Sequence, residues 1–242
     1  GAARALPGNV SRSTAFAINN AGTVIGRGED GFNPVKWANG VFSKLPVPAS
    51  SRPYYWTVRG INSRGEIIAT GSTYHWDEGG IAACWSPKGL PRLLRMPSGF
   101  NFANVKAIND AGVIVGWAGV RTGPRPAKKI VPCKWNSLSC ELLPLPPEAV
   151  GGAATDINDQ GMIVGSVEFV SGWRAHAWAG SALVDLNALV DPGSGWTLTH
   201  AAHVNNAGHF VGYGVRAGVK HDRAWHMYQD YSRVGEVTFP AP

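Results

Sequence analysis

The feature that most constrains this chain is a short motif that recurs five times. Ile18-Asn19-Asn20-Ala21-Gly22 returns as Ile61-Asn62-Ser63-Arg64-Gly65, Ile108-Asn109-Asp110-Ala111-Gly112, Ile157-Asn158-Asp159-Gln160-Gly161 and Val204-Asn205-Asn206-Ala207-Gly208. The copies start 43, 47, 49 and 47 residues apart. Each is followed by a β-branched run ending in a small residue: TVIG, EIIA, VIVG, MIVG and HFVG. A Trp comes next at a variable distance, as Trp37, Trp85, Trp135, Trp178 and Trp225. Leu-containing segments follow four of these Trp, often closed by Pro: Leu45-Pro46, Met96-Pro97, Leu143-Pro144 and Leu186. A period of this length belongs to solenoids, propellers or arrays.

Asn-x-x-Gly between apolar runs is turn chemistry, because Asn and Gly tolerate the positive-φ positions of tight hairpins. Asn39-Gly40 and Gly180-Ser181 mark a second hairpin just past a repeat Trp. Each repeat therefore reads as about four antiparallel strands, and five such units predict an all-β, five-bladed β-propeller. Its Trp and Ile would fill the space between blades. The 31 Gly and 17 Pro among 242 residues fit short elements joined by turns. A linear β-solenoid is the alternative, but it would leave edges to protect. The whole chain, 1–242, is expected to be one domain with repeats near 14–52, 56–99, 104–148, 153–192 and 200–242. Ala5-Leu6-Pro7 stands about as far before Ile18 as Pro97 and Pro146 stand before Ile108 and Ile157. Residues 1–13 thus read as a closing strand, with Glu236–Pro240 competing for that place, so the ring is expected to close by pairing of the chain ends.

Ile108-Asn109-Asp110-Ala111-Gly112-Val113-Ile114-Val115-Gly116, together with Arg174-Ala175-His176-Ala177-Trp178 and Val184-Asp185-Leu186, resembles the HAF repeats of bacterial extracellular proteins. The resemblance spans nearly all of the chain. It departs where Ala69 replaces the second Gly, and where the other repeats lack the Asp-Leu ending. It implies a secreted protein, extracellular or periplasmic, and it implies no particular activity. The opening GAARALPGNV carries no charged-then-apolar leader, so an intact signal peptide is not expected.

Composition narrows the partners. Charged residues are only 16% of the chain, and a net charge of +6 comes from scattered basic residues. That pattern does not make a nucleic-acid groove. No apolar run approaches the ~20 residues of a membrane-spanning helix.

Candidate site residues are those that differ between copies while the frame repeats. Before the motif Ile/Val stand Ala17, Gly60, Ala107, Asp156 and His203. One residue further back are Phe16, Arg59, Lys106, Thr155 and Ala202, and past the apolar run are Arg27, Thr70, Trp117, Ser166 and Tyr213. A lectin with five equivalent sites would repeat its contacts, so this variation points to one asymmetric site on the axis or one face. Six of seven His fall in the last two repeats. An Asp156–His203 pair would serve as general base, with Arg59 or Lys106 holding developing negative charge. Trp56, Trp76, Trp117, Trp173 and Trp196, with Tyr54 and Tyr55, offer flat faces to sugars or other apolar ligands.

Other chemistries find less support. His200 and His203, three apart on a strand, would point to opposite faces and could not share a metal. The Asn-Asp turns carry too few carboxylates for calcium. Asp30, Asp77, Asp156 and Glu168 would act as glycosidase carboxylates only if folding brought them together. Cys133 and Cys140 would be bridged if their hairpin turned at Asn136-Ser137. In the register of Asn39-Gly40, Trp135 would instead face Cys140 and the bridge would fail. No metal or cofactor is expected.

The residues thus predict a monomeric, single-site binding protein for a saccharide or a polar-aromatic small molecule, secreted as the resemblance implies, with Asp156, His203, Arg59 and Lys106 as candidate chemistry and Arg27, Trp56, Trp117, Ser166 and Tyr213 as candidate contacts. A cofactor-independent enzyme with acid–base chemistry in the axial channel (hydrolase, lyase, isomerase or cyclase) and a multivalent lectin or protein-interaction platform remain open.

Overall fold

The computed structural model describes residues 5–7, 13–28, 33–48, 55–72, 80–120, 129–136, 139–219 and 221–227. Each repeat forms its own antiparallel sheet, with strands in chain order across it. The first holds β1 (Thr14–Ile18), β2 (Val24–Arg27), β3 (Pro34–Ala38) and β4 (Val41–Lys44). The second holds β5 (Tyr55–Ile61), β6 (Ile67–Ser72), β7 (Ile81–Trp85) and β8 (Pro91–Leu93). The third holds β9 (Phe102–Ile108), β10 (Ile114–Gly119), β11 (Ile130–Trp135) and β12 (Cys140–Leu142). The fourth holds β13 (Gly151–Ile157), β14 (Ile163–Phe169), β15 (Gly172–Ala179) and β16 (Ala182–Asp185). The fifth has three strands among the described residues: β17 (Trp196–Val204), β18 (Phe210–Arg216) and β19 (Arg223–Met227). No helix among the described residues is long and apolar enough to cross a membrane.

The sheets stack face to face like propeller blades. Four apolar clusters hold them, and each draws buried residues from two successive sheets. The repeat Trp anchor these junctions. Trp85, Trp135 and Trp178 donate their indole N–H to the carbonyls of Pro46, Arg95 and Pro144, each at the end of the preceding sheet, at 2.6–2.8 Å. Trp37 donates in the same way to the Pro7 carbonyl at 2.9 Å. Residues 5–7 therefore stand before the first sheet as Leu45-Pro46 stands before the second, although they form no strand. The rest of the expected closing strand and Glu236–Pro240 lie outside the described residues, as do Asp30, Tyr54, Trp76 and Asp77.

The motif Asn does more than make a turn. The motif Gly residues carry the positive φ, from 76° to 83°, while Asn39 is the one described non-Gly residue with φ above zero. Each motif Asn instead accepts the backbone N–H four residues on through its Oδ1, closing its own turn. Its Nδ2 then donates to the backbone carbonyl of the next repeat's motif Asn. The steps run Asn19 to Asn62, Asn62 to Asn109, Asn109 to Asn158 and Asn158 to Asn205, at 3.0–3.1 Å. Asp in this place would close the turn but would lack the second donor.

Every first strand is also bulged two residues before the motif Ile/Val, at Phe16, Arg59, Lys106, Thr155 and Ala202. The bulge presses a carbonyl against the second strand. A Cβ at Gly116 would collide with the Asn104 carbonyl, and Gly26, Gly165 and Gly212 stand against Thr14, Ala153 and His200 in the same way. This close approach explains the Gly that ends four of the five apolar runs, Ala69 standing in its place in the second.

Candidate functional site

The bulges decide where the candidate side chains point. In β17, register shifts at Thr199 and Ala202 pair His200 with Tyr213 and His203 with Val211. Tyr213 and Val211 share the exposed face of β18, whose burial alternates from Phe210 to Val215. His200 and His203 therefore lie on one face. The rule that residues three apart point oppositely fails here because an extra residue sits between them. Among the described residues no group of three or more His, Cys, Asp or Glu is gathered as a metal site.

Asp156 and His203 are brought together: His203 Nδ1 lies 3.3 Å from Asp156 Oδ2. That oxygen also accepts the Val204 N–H at 3.0 Å, and Oδ1 accepts the Ile157 N–H at 2.9 Å. With Nδ1 donating to the carboxylate, Nε2 is left as the acceptor. The imidazole side chain is 76% exposed, against 19% for the carboxylate. Thr155, on the bulge beside them, donates its hydroxyl to the Ala201 carbonyl at 2.6 Å, with the Val164 carbonyl also within 3.1 Å, so it stitches the fourth sheet to the fifth.

The other candidates divide. Arg59 is exposed and Lys106 half-buried, each on its own bulge. Arg27 ends β2 in solvent. Tyr213 stacks on His200 with ring centroids 4.4 Å apart, and Trp173 stacks with His200 at 5.5 Å. Burial pushes the His200 pKa down and that of Tyr213 up, so both rings favour the neutral form. Trp56, Trp117 and Ser166 are corrections to the expected ligand surface. They are only 2%, 5% and 2% exposed because their strands run between sheets, not through loops. Trp56 packs edge-on against Trp85, and Trp117 lies against Phe102. The β11–β12 register sets Trp135 opposite Cys140, and Cys84, Cys133 and Cys140 are free thiols.

Among the described residues, side chains leave space in hollows between the sheets. One, of about 260 Å³, lies where the motif turns of all five sheets meet. A second ladder rims it: Ser63, Asp110 and Asp159 donate their backbone N–H to the side-chain oxygens of Asp110, Asp159 and Asn206 at 2.8–2.9 Å. The backbone hydrogen bond from Ser63 holds the Asp110 carboxyl below its usual range.

Another hollow, of about 280 Å³, is a cleft between the third and fourth sheets. Its apolar lining includes Trp135, Trp178, Val113, Ile157, Ile163 and Leu143, and its polar lining is Lys134, Asn136 and Glu141. Lys134 and Glu141 face each other across β11 and β12, with Nζ and Oε2 3.2 Å apart. The cleft lies beside two positions that are filled in the preceding junction. In the preceding junction Arg64 and Glu66 form an ion pair directly over Gly112. Their counterparts one repeat on are Ala111 and Val113, and Gly161, the counterpart of Gly112, has nothing within 4 Å of a Cβ position. Sequence reasoning treated these positions as turn filler. The signal was present, because Ala-Gly-Val for Arg-Gly-Glu is visible once the repeats are aligned.

No family model matches the chain, and no curated protein matches it. Solved structures do. Virginiamycin B lyase from Staphylococcus aureus is similar with a TM-score of 0.39 and 10% identity, over 88% of this chain and 83% of that one. The SapL1 lectin, solved in complex with alpha methyl fucoside, has a TM-score of 0.35 and 13% identity, over 93% of this chain and 82% of its own.

Proposed function

We propose that this chain is a secreted, five-bladed propeller of the HAF-repeat kind, closed into a monomeric ring, that binds one saccharide or polar-aromatic small molecule in the cleft between its third and fourth blades. The observation that carries the binding site is the inequality of two adjacent junctions. One is plugged by Arg64 and Glu66 over Gly112, and the next is left open over Gly161. A fivefold frame with such a cleft at this junction accounts for side chains that vary between repeats. The cleft combines an apolar floor with few polar groups, the usual make-up of a small-ligand site. Trp135 and Trp178 in its floor are only 1% and 2% exposed, so a ligand meets chiefly Val113 and the polar Lys134, Asn136 and Glu141, which offer donors and acceptors to hydroxyls. The Lys134–Glu141 pair is exposed enough to open at small cost. Closure is supported by the Trp37–Pro7 hydrogen bond, which gives the first blade the anchor that Pro46, Arg95 and Pro144 give the later ones.

The test is calorimetric titration with a panel of mono- and disaccharides and small aromatics. The double variant Ala111→Arg/Val113→Glu rebuilds the plug of the preceding junction and is expected to abolish binding while leaving the melting temperature unchanged. Binding that survives the plug removes the cleft from the proposal, and a panel with no binder removes the ligand class.

The second reading is acid–base catalysis, favoured by the Asp156–His203 contact, which leaves His203 Nε2 exposed as a base. His203→Ala and Asp156→Asn would then abolish turnover while affinity is retained, and turnover unaffected by both changes excludes it.

A further inference from the structure

Six of the seven His belong to the last two repeats, and the fifth sheet gathers several of them on one face. Burial alternates from His209 through Val215, so His209 lies on the exposed face of β18 with Val211 and Tyr213. The β18–β19 register sets His226 opposite Val211, and directly opposed residues share a face. The β17–β18 register sets His203 opposite Val211 from the other side. Val211 thus has an imidazole on each neighbouring strand and a third two residues before it on its own strand.

His209 and His226 are the two that meet. Their ring centroids are 5.5 Å apart with the planes inclined at 62°, and both residues are exposed. A late first-row divalent cation such as zinc takes an imidazole nitrogen at about 2.0–2.1 Å, which puts the ion ~3.2 Å from the ring centroid. Two centroids 5.5 Å apart then subtend about 120° at one shared ion, near the tetrahedral angle of about 109°. In the third sheet Val113 and Lys134 hold the same two places, Lys134 standing opposite Val115 as His226 stands opposite Val211. Both line the open cleft, so the frame can leave this place accessible even where two sheets stand side by side.

We propose that His209 and His226 form a two-imidazole site for a late first-row divalent cation, zinc above all, on the fifth sheet. Imidazole nitrogen suits these ions, whereas magnesium and calcium take oxygen. The second side-chain torsion of His is broad, so a turn of each ring aims a nitrogen at the shared ion. Among the described residues no third His, Cys, Asp or Glu joins the pair. Two positions of a tetrahedral zinc are then left for water or for a donor group of a bound molecule. His203 is held by Asp156 on the far side of Val211 and stays outside the coordination set. The site is separate from the cleft between the third and fourth sheets and does not depend on what binds there.

Calorimetric titration of the untagged chain with zinc tests this. The expected result is one saturable site, weakened about tenfold or more by His209→Gln and by His226→Gln alike, since loss of even an outer-shell partner costs that much. His221→Gln removes an exposed imidazole outside the pair and should leave the affinity unchanged. Nuclear magnetic resonance of the unsubstituted chain gives a readout that needs no variant to fold: zinc should shift the ring signals of His209 and His226 and leave that of the buried His176 in place. No saturable binding overturns the proposal, and so does binding that survives either Gln substitution in the pair. An equal loss in His221→Gln, or ring shifts spread over all the histidines, means diffuse binding and overturns it as well.

Discussion

The third sheet and the fifth are built from the same repeat, yet among the described residues the third shares apolar clusters with two other sheets and the fifth with one. In the third, Trp135 is 1% exposed with its indole N–H on the Arg95 carbonyl, and Val115 is fully buried. In the fifth, Trp225 is 8% exposed with its indole nitrogen buried and unpaired, and Val211 stands 40% exposed. The difference at Trp225 has a local cause. The segment that should offer it a carbonyl winds into a 3-10 helix, Leu186–Leu189, in which the Asn187 carbonyl accepts from Val190 at 3.3 Å. An identical motif therefore contributes stability only as far as its neighbours complete it.

The largest expected contrast is between the two Trp. Trp135→Ala should cost about 4 kcal/mol, since it empties a filled core and strands the Arg95 carbonyl. Trp225→Ala should cost clearly less, because it removes an unsatisfied donor together with its ring. Urea denaturation measures both, and equal losses would break the comparison. Next come the paired Val positions. Val115→Ala should cost about 2 kcal/mol. Val211→Ala should match it if the fifth face is covered in solution and approach zero if it is bare, so this pair reads closure directly. Asn109→Asp should cost about 1–2 kcal/mol, because the buried Asn158 carbonyl loses its donor. Asn205→Asp should cost as much only in a closed ring.

The smallest effect is in acid. Asp110 has its carboxyl held below the usual 3.8 by hydrogen bonds from Ser63. A carboxyl depressed on folding lends stability that is present above its unfolded value and lost as pH falls through the folded one. Asp110→Asn should therefore flatten the drop in melting temperature below about pH 4. Asn206, the neutral residue in the same place on the fifth repeat, should show no such dependence when replaced by Ala.

Much of this was legible in the chain. Ile-Asn-x-x-Gly marked every first turn, and Asn39-Gly40 formed the expected hairpin with φ of 50° and 74°. The forward donation by Asn was not legible, because its acceptors are backbone carbonyls 43–49 residues away that carry no residue signature. Nor were the bulges. They leave no mark in composition, and they alone turn His200 and His203 onto one face. Trp56 and Trp117 misled because they stand outside the repeat frame, which made them look like loop aromatics. Their neighbours Val58 and Val115 are apolar strand residues, and the rings fill space between sheets. Asp156 and His203 were found from position alone, since equivalent positions in successive repeats are placed side by side by construction.

The forward-pointing ladder has a consequence for how such a molecule grows. A unit that offers donors on one side and acceptors on the other can be copied, inserted or deleted without creating a mismatched pair of atoms at any internal boundary. Chemistry therefore places no limit on the number of units, and only the angle between successive sheets sets when the head meets the tail. A lineage built by tandem duplication can change its ring size by altering a few packing residues that steer that angle, while the motif that writes each unit stays the same.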